Sequence, residues 1–438
     1  MNVVWFALDT LRSDHLGCYG YFRPTSPNID RLAAEGAVFE DSYASAIATG
    51  PGFTSLVTGL AAVNHGFYLT PWNVPNAPLL DDRVPTVAEL VQARGPTTTA
   101  AFDNLINFRS HMKQFVRGVE FYINVTRSPA WLHHHVLGES VNARLLPWLE
   151  AHAAERFFAM VHYWDPHMPY NQPEAFRGHF DRESRDLATE TAPDGYTYVP
   201  GWGPADRLPE AQPQRSIDLY DDEILYTDHC VGQVVEKLDA LGILDETAIL
   251  LTSDHGEDLD LHGLWGHGTV HETTVRVPLV LRDPARVPRG VRVRGFVQHA
   301  DNAPTILEYF PQEERDETSL AAPSPWMPET DVRFDGASLG ALARGERQAP
   351  REIVVECPGQ RACIAPPWKL IASRDGSPAQ LFHLANDPCE LHDRAAEQRA
   401  VAEELEGKLR QWVEHHLAGQ RTDPMDEPGG AWNCWLER

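Results

Sequence analysis

Thr247-Ala248-Ile249-Leu250-Leu251-Thr252-Ser253-Asp254-His255-Gly256-Glu257 is the stretch that decides how this chain folds. Its first six residues are apolar or β-favouring, and they stop at Asp-His-Gly. Such a run reads as a buried strand ending in a loop. In open α/β sheets the carboxyl ends of strands are where ligands bind. Asp254 and His255 offer one oxygen and one nitrogen to a divalent cation, and Gly256 lets the backbone turn tightly beneath them. The opening of the chain repeats the pattern, with the apolar run Val3 to Leu8 leading straight into Asp9-Thr10. Two strands far apart in sequence each deliver a carboxylate at the same kind of edge, which predicts one metal site assembled from both.

Strands and helices alternate outward from this stretch. Pro27 to Glu40 has a helical apolar face of Ile29, Leu32, Ala33 and Val38, and Val84 to Ala93 reads as a second helix. Thr97 to Phe102, Arg156 to His162 and Val277 to Leu281 read as strands. Asp221 to Leu241 is a long amphipathic helix leading into the strand before Asp254, and the acidic Asp221-Asp222-Glu223 reads as its charged start. The predicted fold is an α/β sandwich with a mostly parallel central sheet. Towards the end, Glu352–Glu356, Trp368–Ile371 and Gln380–Leu384 read as short strands, followed by a helix from Ala395 to Leu417. The expected division is a catalytic α/β domain over 1–345 and a small α+β domain with an antiparallel sheet over 346–438. Asn171 to Gln214 and Pro311 to Glu329 are rich in Pro, Gly and charge, and the first reads as a lid or insertion near the site.

The 438 residues, 42% hydrophobic and 23% charged, fit a globular chain with a large core. A formal net charge of −26 argues against nucleic-acid or anionic-membrane partners. Six scattered cysteines read as reduced thiols, with a Cys357–Cys363 disulfide left open. With no signal segment and no apolar run near the ~18 residues that span a membrane, a cytoplasmic location is expected. The expected partner is a small anionic ester, and a homo-oligomer is left open.

A third element is Ala48-Thr49-Gly50-Pro51-Gly52-Phe53-Thr54-Ser55-Leu56-Val57-Thr58-Gly59. Small residues precede a helix-like run, which presents one hydroxyl at a helix N-terminus, where backbone N–H groups can receive an anion. Alone, Thr49 reads as a helix cap. Beside a divalent metal its hydroxyl becomes a usable nucleophile, with Gly50 and Gly52 permitting close approach of the ester.

Together these segments resemble the sulfatase branch of the alkaline phosphatase superfamily over nearly the whole length. ALDTLRSDHLGCYGY (7–21) is similar to that family's first strand and metal loop, and PTSPNIDRLAAEGAVFEDSYA (24–44) to its first helix and the approach to the nucleophile. WDPHMPY (164–170), SDHGEDLDLHGLWGHGTVHETTVRVPLVLR (253–282) and WKLIASRDGSPAQLFHLANDPCE (368–390) continue in the family's order. Each motif is weak alone, but they are collinear.

The departures point in one direction. Sulfatases carry a Cys or Ser that becomes formylglycine, in a Cys-x-Pro-Ser-Arg-like motif. Here the aligned residue is Thr49, whose branched side chain cannot give the aldehyde, and the aligned Arg is Phe53. The second Asp of the usual opening pair is Thr10, the sulfate-binding Lys is His267, and the neighbouring Tyr is His271. His255 stands where many sulfatases have Asn. Loss of a carboxylate and gain of imidazole shift the preference towards manganese or zinc and leave calcium open. A threonine nucleophile resembles the phosphodiesterase, nucleotide pyrophosphatase and lipoteichoic-acid-synthase branches. That resemblance implies Asp9, Thr49, Asp254 and His255 as metal ligands. It also implies hydrolysis of phosphate or phosphonate esters. A sulfatase working without formylglycine, a phosphotransferase to an alcohol and a noncatalytic binding protein are the alternatives.

Around this set, the resemblance puts His167 at a substrate-binding position. His267 is expected to contact substrate oxygen, protonate the leaving group or bind a second metal. One metal is the expectation, and a second held by His167, His267 and Asp165 is left open. His65, His271 and Arg12 are the candidate substrate-binding residues. Glu257 and Asp258 read as solvated or supporting residues, and His133-His134-His135 as surface.

Overall fold

The computed structural model describes residues 1–68, 80–105, 113–126, 137–168, 170–180, 213–312, 333–349, 352–417 and 423. The His133–His135 cluster, most of the 171–214 segment and most of 311–329 lie outside them. The central sheet has eight strands: β1 (Asn2–Leu8), β2 (Ala37–Tyr43), β3 (Thr98–Asp103), β4 (Phe121–Asn124), β5 (Phe157–Tyr163), β6 (Thr247–Ser253), β9 (Leu279–Arg282) and β10 (Val291–Gln298). Two very short strands, β7 (Asp258–Leu259) and β8 (Trp265–Gly266), form a hairpin between β6 and β9. The order across the sheet is β10-β2-β9-β6-β1-β5-β3-β4. Every pairing is parallel except those of β9 with β2 and β6.

β1 and β6 are buried along their whole length, as strands covered by helices on both faces must be, which explains their near-continuous apolar runs. Alternation splits β1 between two cores. Val3, Trp5 and Ala7 pack on one face with Phe53, Leu56 and Val91. Val4, Phe6 and Leu8 pack on the other with Ile29, Leu145 and Val231. The helices of the second face are α1 (Pro27–Glu35), 138–151 and 213–240; those of the first include α2 (Thr49–Thr58) and 87–94.

Four strands, β11 (Ile353–Cys357), β12 (Gln360–Ala365), β13 (Trp368–Ser373) and β14 (Gln380–His383), make a separate antiparallel sheet near the C-terminus. One face packs through Val355 and Ile371 on Tyr43, Val275 and Phe296. The other packs through Val354 and Leu370 on Leu405 and Leu409 of helix Arg399–Leu417.

Several expectations need correction. The helix read from Pro27 to Glu40 ends at Glu35, and Val38 belongs to β2. Gly36 breaks the helix where its Cα lies against the backbone of Leu281 and Arg282, with no room for a Cβ. Asp221, Asp222 and Glu223 do not start a helix, since theirs begins at Pro213, and all three are buried. Asp221 binds His15, Tyr21 and Arg23. Asp222 accepts from the backbone of 178–180 and Glu223 from Gln172. Cys357 and Cys363 are both free thiols. Among the described residues no helix is long and apolar enough to cross a membrane.

Candidate active site

Register builds the centre of the site. Leu8 is paired with Ser253 on one side and with Tyr163 on the other. The next residues, Asp9 and Asp254, therefore leave adjacent strand ends at one level. Both are fully buried, and ligand atoms of Asp9, Asp254 and His255 lie within 4.8 Å of one another. Helix α2 brings the hydroxyl. Its ten residues are all buried, and Thr49 in its first turn places Oγ1 3.3 Å from His255 Nε2. His255 Nδ1 donates to the Gly256 carbonyl at 2.9 Å, which leaves the Nε2 lone pair facing the carboxylates. That nitrogen lies 3.4 Å from Asp254 Oδ2 and 3.9 Å from Asp9 Oδ1. Gly256 is needed less for a turn than for space, because a Cβ there would meet the Thr273 carbonyl at 2.1 Å.

The donor set fits a divalent cation. Both carboxylate oxygens of Asp9 and one of Asp254 are buried with no hydrogen-bond partner among the described residues. Burial and the Asp254 carboxylate push Asp9 up to about 7. Two buried carboxylates facing each other without a proton or a cation would be strongly unfavourable. Two acidic oxygens, an imidazole and a hydroxyl suit zinc or manganese.

Sequence reasoning missed His162, which ends the apolar run of β5 and looked like core. Its Nε2 is 3.6 Å from Asp9 Oδ2 and its Nδ1 3.8 Å from Asp103 Oδ1. Burial opposes its charge, yet the two flanking acids raise it to about 9. Phe53, at the position aligned with the sulfatase Arg, meets this ring edge-on at 4.8 Å. A polar residue ending an otherwise apolar central strand was the signal available.

Next to this set stand His167 and His267. Their ring centroids are 5.1 Å apart, and that of His267 is 4.3 Å from that of His255. The third member of this group is Glu257, not Asp165. Asp165 is buried beside Asn104, whose Nδ2 donates to its carboxylate at 3.4 Å. Glu257 is fully buried rather than solvated, and burial pushes it up to about 8. Burial likewise drives His267 down to about 4.

None of the three candidate substrate contacts belongs to the Asp9, Asp254 and His255 group. His65 is buried behind α2, with Nε2 3.1 Å from Ser55 Oγ and Nδ1 accepting from the Phe67 N–H. His271 stacks on His262 at 3.9 Å and pairs with Glu390 at 3.0 Å. Arg12 chelates Asp14 and donates to the Glu257 carbonyl. It lines a cleft of about 1270 Å³ with Tyr43, His262 and Glu390, to which Asp9, Thr49, Asp254 and His255 do not contribute. Gly52 also serves the fold, since α2 uses it to reach the Asp254 backbone.

Residues 1–312 match the sulfatase family, and the chain belongs to that family of hydrolases. It is 26% identical over 417 residues to the multifunctional alkaline phosphatase superfamily protein PehA of Trinickia caryophylli, covering 76% of this chain and 80% of that one. To mouse iduronate 2-sulfatase it is 24% identical over 337 residues, covering 65% of this chain but only 60% of the relative. Among solved structures, the phosphonate monoester hydrolase of Agrobacterium radiobacter shares the fold with a TM-score of 0.76 at 20% identity, covering 95% of this chain and 96% of that one.

Proposed function

We propose that this chain is a divalent-metal hydrolase of phosphate or phosphonate esters, with Thr49 as its nucleophile. The observation that carries this reading is the place of Thr49 Oγ1, 3.3 Å from His255 Nε2 at the tip of a buried helix. Asp9, Thr49, Asp254 and His255 would hold the cation, which when bound favours ionisation of a neighbouring hydroxyl and draws charge from an ester oxygen. Thr49 Oγ1 attacks phosphorus. The Oγ1–phosphorus bond forms as the bond to the leaving oxygen breaks, and the Thr49 proton ends on that oxygen. Water then cleaves the Oγ1–phosphorus bond and restores the hydroxyl. His167 and His267 border the side on which the leaving oxygen departs. The first-turn N–H groups of α2 lack intrahelical acceptors and favour an anion there.

Threonine cannot become formylglycine, so the self-expulsion of sulfate open to an aldehyde hydrate is closed to it. Similarity to PehA, described as multifunctional, is compatible with this reading. Similarity to iduronate 2-sulfatase favours a second one, sulfate ester hydrolysis without formylglycine. A panel of aryl phosphate, phosphodiester, phosphonate and sulfate esters, run with manganese, zinc and calcium, decides between them. Preference for a phosphorus ester is expected, and preference for sulfate monoesters overturns the assignment. Phosphoryl transfer to added glycerol would identify a transferase, and binding without turnover of any ester a noncatalytic protein.

A further inference from the structure

We infer that His162 is a positioning residue that selects the cation: it occupies one carboxylate oxygen of Asp9, keeps Asp9 a one-oxygen ligand, and so favours manganese or zinc over calcium. The inference rests on the reading of Asp9 as a ligand to a divalent cation and is independent of which ester is cleaved. Its basis is a row of polar side chains along the carboxyl edge of the central sheet. Asp254, Asp9, His162, Asp103 and Asn124 stand within one residue of the ends of β6, β1, β5, β3 and β4, and those strands are neighbours in that order. Register aligns the row. Ala7 pairs with His162, Phe102 with Val161, and Asp103 with Asn124.

The two oxygens of Asp9 face different imidazoles. Oδ1 lies 3.9 Å from His255 Nε2, and Oδ2 lies 3.6 Å from His162 Nε2. Oδ1 is thus the oxygen turned to His255, and Oδ2 the one turned to β5. On its other side the His162 ring places Nδ1 3.8 Å from Asp103 Oδ1. The ring therefore sits between two acids, each within ion-pair reach. Asp103 is itself anchored. Its carboxylate accepts from the Tyr122 hydroxyl, from the Leu105 N–H and from Asn124 Nδ2 at 2.8 Å. His162 is fully buried and Phe53 meets it edge-on at 4.8 Å, which leaves the ring little room to swing away.

This placement separates His162 from the ligands. Both of its nitrogens are turned to acids, and the ligand atoms that lie within 4.8 Å of one another belong to Asp9, Asp254 and His255 without it. It reaches the cation only through Asp9, as an outer contact that fixes a ligand. The consequence is a matter of counting oxygens. Calcium takes about six to eight of them and often binds a carboxylate through both. Zinc is satisfied by roughly four ligands, and Asp9, Thr49, Asp254 and His255 can supply one atom each. With Oδ2 held by His162, Asp9 has a single oxygen to give. Releasing Oδ2 would add an oxygen ligand and move the site towards calcium.

Competition titrations of purified full-length protein with manganese and calcium test this. Wild type is expected to bind manganese more tightly. His162→Leu, which fills the space without an N–H, should shift the ratio of the two dissociation constants about tenfold or more towards calcium. His162→Gln keeps a donor and should shift it less. Asp103→Asn loosens the hold on the ring and should move the ratio in the same direction, so it carries the test if His162→Leu does not fold. Infrared spectra of the calcium-loaded proteins give a second readout: His162→Leu should gain the narrow carboxylate splitting of a two-oxygen ligand relative to wild type. A role in folding alone would weaken both metals together. An unchanged ratio in His162→Leu and Asp103→Asn, or tighter binding of calcium by wild type, overturns the inference while leaving Asp9 a ligand. Absence of any divalent binding by wild type would sink the metal reading itself, and this inference with it.

Discussion

Gly52 and Asp254 meet backbone to backbone: a Cβ on Gly52 would stand 2.8 Å from the Asp254 carbonyl oxygen and 3.1 Å from that of Ala46. This contact lets α2 close on the end of β6 and carries Thr49 to His255. Gly52→Ala is therefore expected to cost about 1–3 kcal/mol of stability. By displacing Thr49 it should lower kcat/KM on the order of 100-fold. Urea unfolding and steady-state kinetics on the preferred ester measure both. A fully active alanine variant would show that this contact does not position the hydroxyl.

Thr49→Ala should keep its fold and most of its metal but lose turnover by on the order of 1,000-fold or more, since the attacking oxygen is gone. Thr49→Ser keeps the oxygen and should retain part of the rate. Circular dichroism and metal analysis control for folding. Wild-type rates in the alanine variant would remove Thr49 from the chemistry.

The facing carboxylates of Asp9 and Asp254 make the metal-free protein strained. Chelation should lower Tm, and metal at a hundredfold excess over Kd should restore about 2.7 kcal/mol. Asp254→Asn should lose this response, yet unfold at a higher temperature than metal-free wild type because one of two repelling acids is gone. Differential scanning calorimetry with and without chelator reads both effects, and an asparagine variant no more stable than metal-free wild type would contradict the repulsion.

Burial holds His65 down at about 3, against an unfolded value near 6.5. The unfolded chain takes up a proton below that value and the folded chain does not. Stability from this residue is thus complete above about pH 6.5 and falls as pH drops towards 3, by roughly 1.4 kcal/mol per unit. His65→Gln should flatten the decline by one proton. Unfolding free energies of both proteins across this range give the comparison, and parallel slopes would mean that His65 is charged in the folded state.

Much of this was legible because the strands are buried on both faces. Val3–Leu8 and Thr247–Thr252 are continuous apolar runs that end at acids, so the fold, the strand ends and the two facing carboxylates were read together. What stayed hidden depends on packing. The end of α1 is set by the approach of Gly36 to β9, which no local pattern marks. Glu257 read as solvated or supporting because charged residues surround it in sequence, and only the hairpin turns it inward against His267. His162 was masked by its apolar neighbours. The surroundings of His65 and His271 also stayed hidden, because resemblance conveys position along the chain but not the direction a ring faces.

The pairing of Leu8 with Ser253 also limits how such a chain can diverge. Side chains alternate along a strand, so a one-residue insertion or deletion within β1 or β6 would exchange the two cores and turn one acid away from the other. Changes of length are tolerable only beyond the strand ends. New specificities on this scaffold must therefore arise by substitution at the sheet edge and by growth of the connecting segments, while the spacing inside the two strands stays frozen.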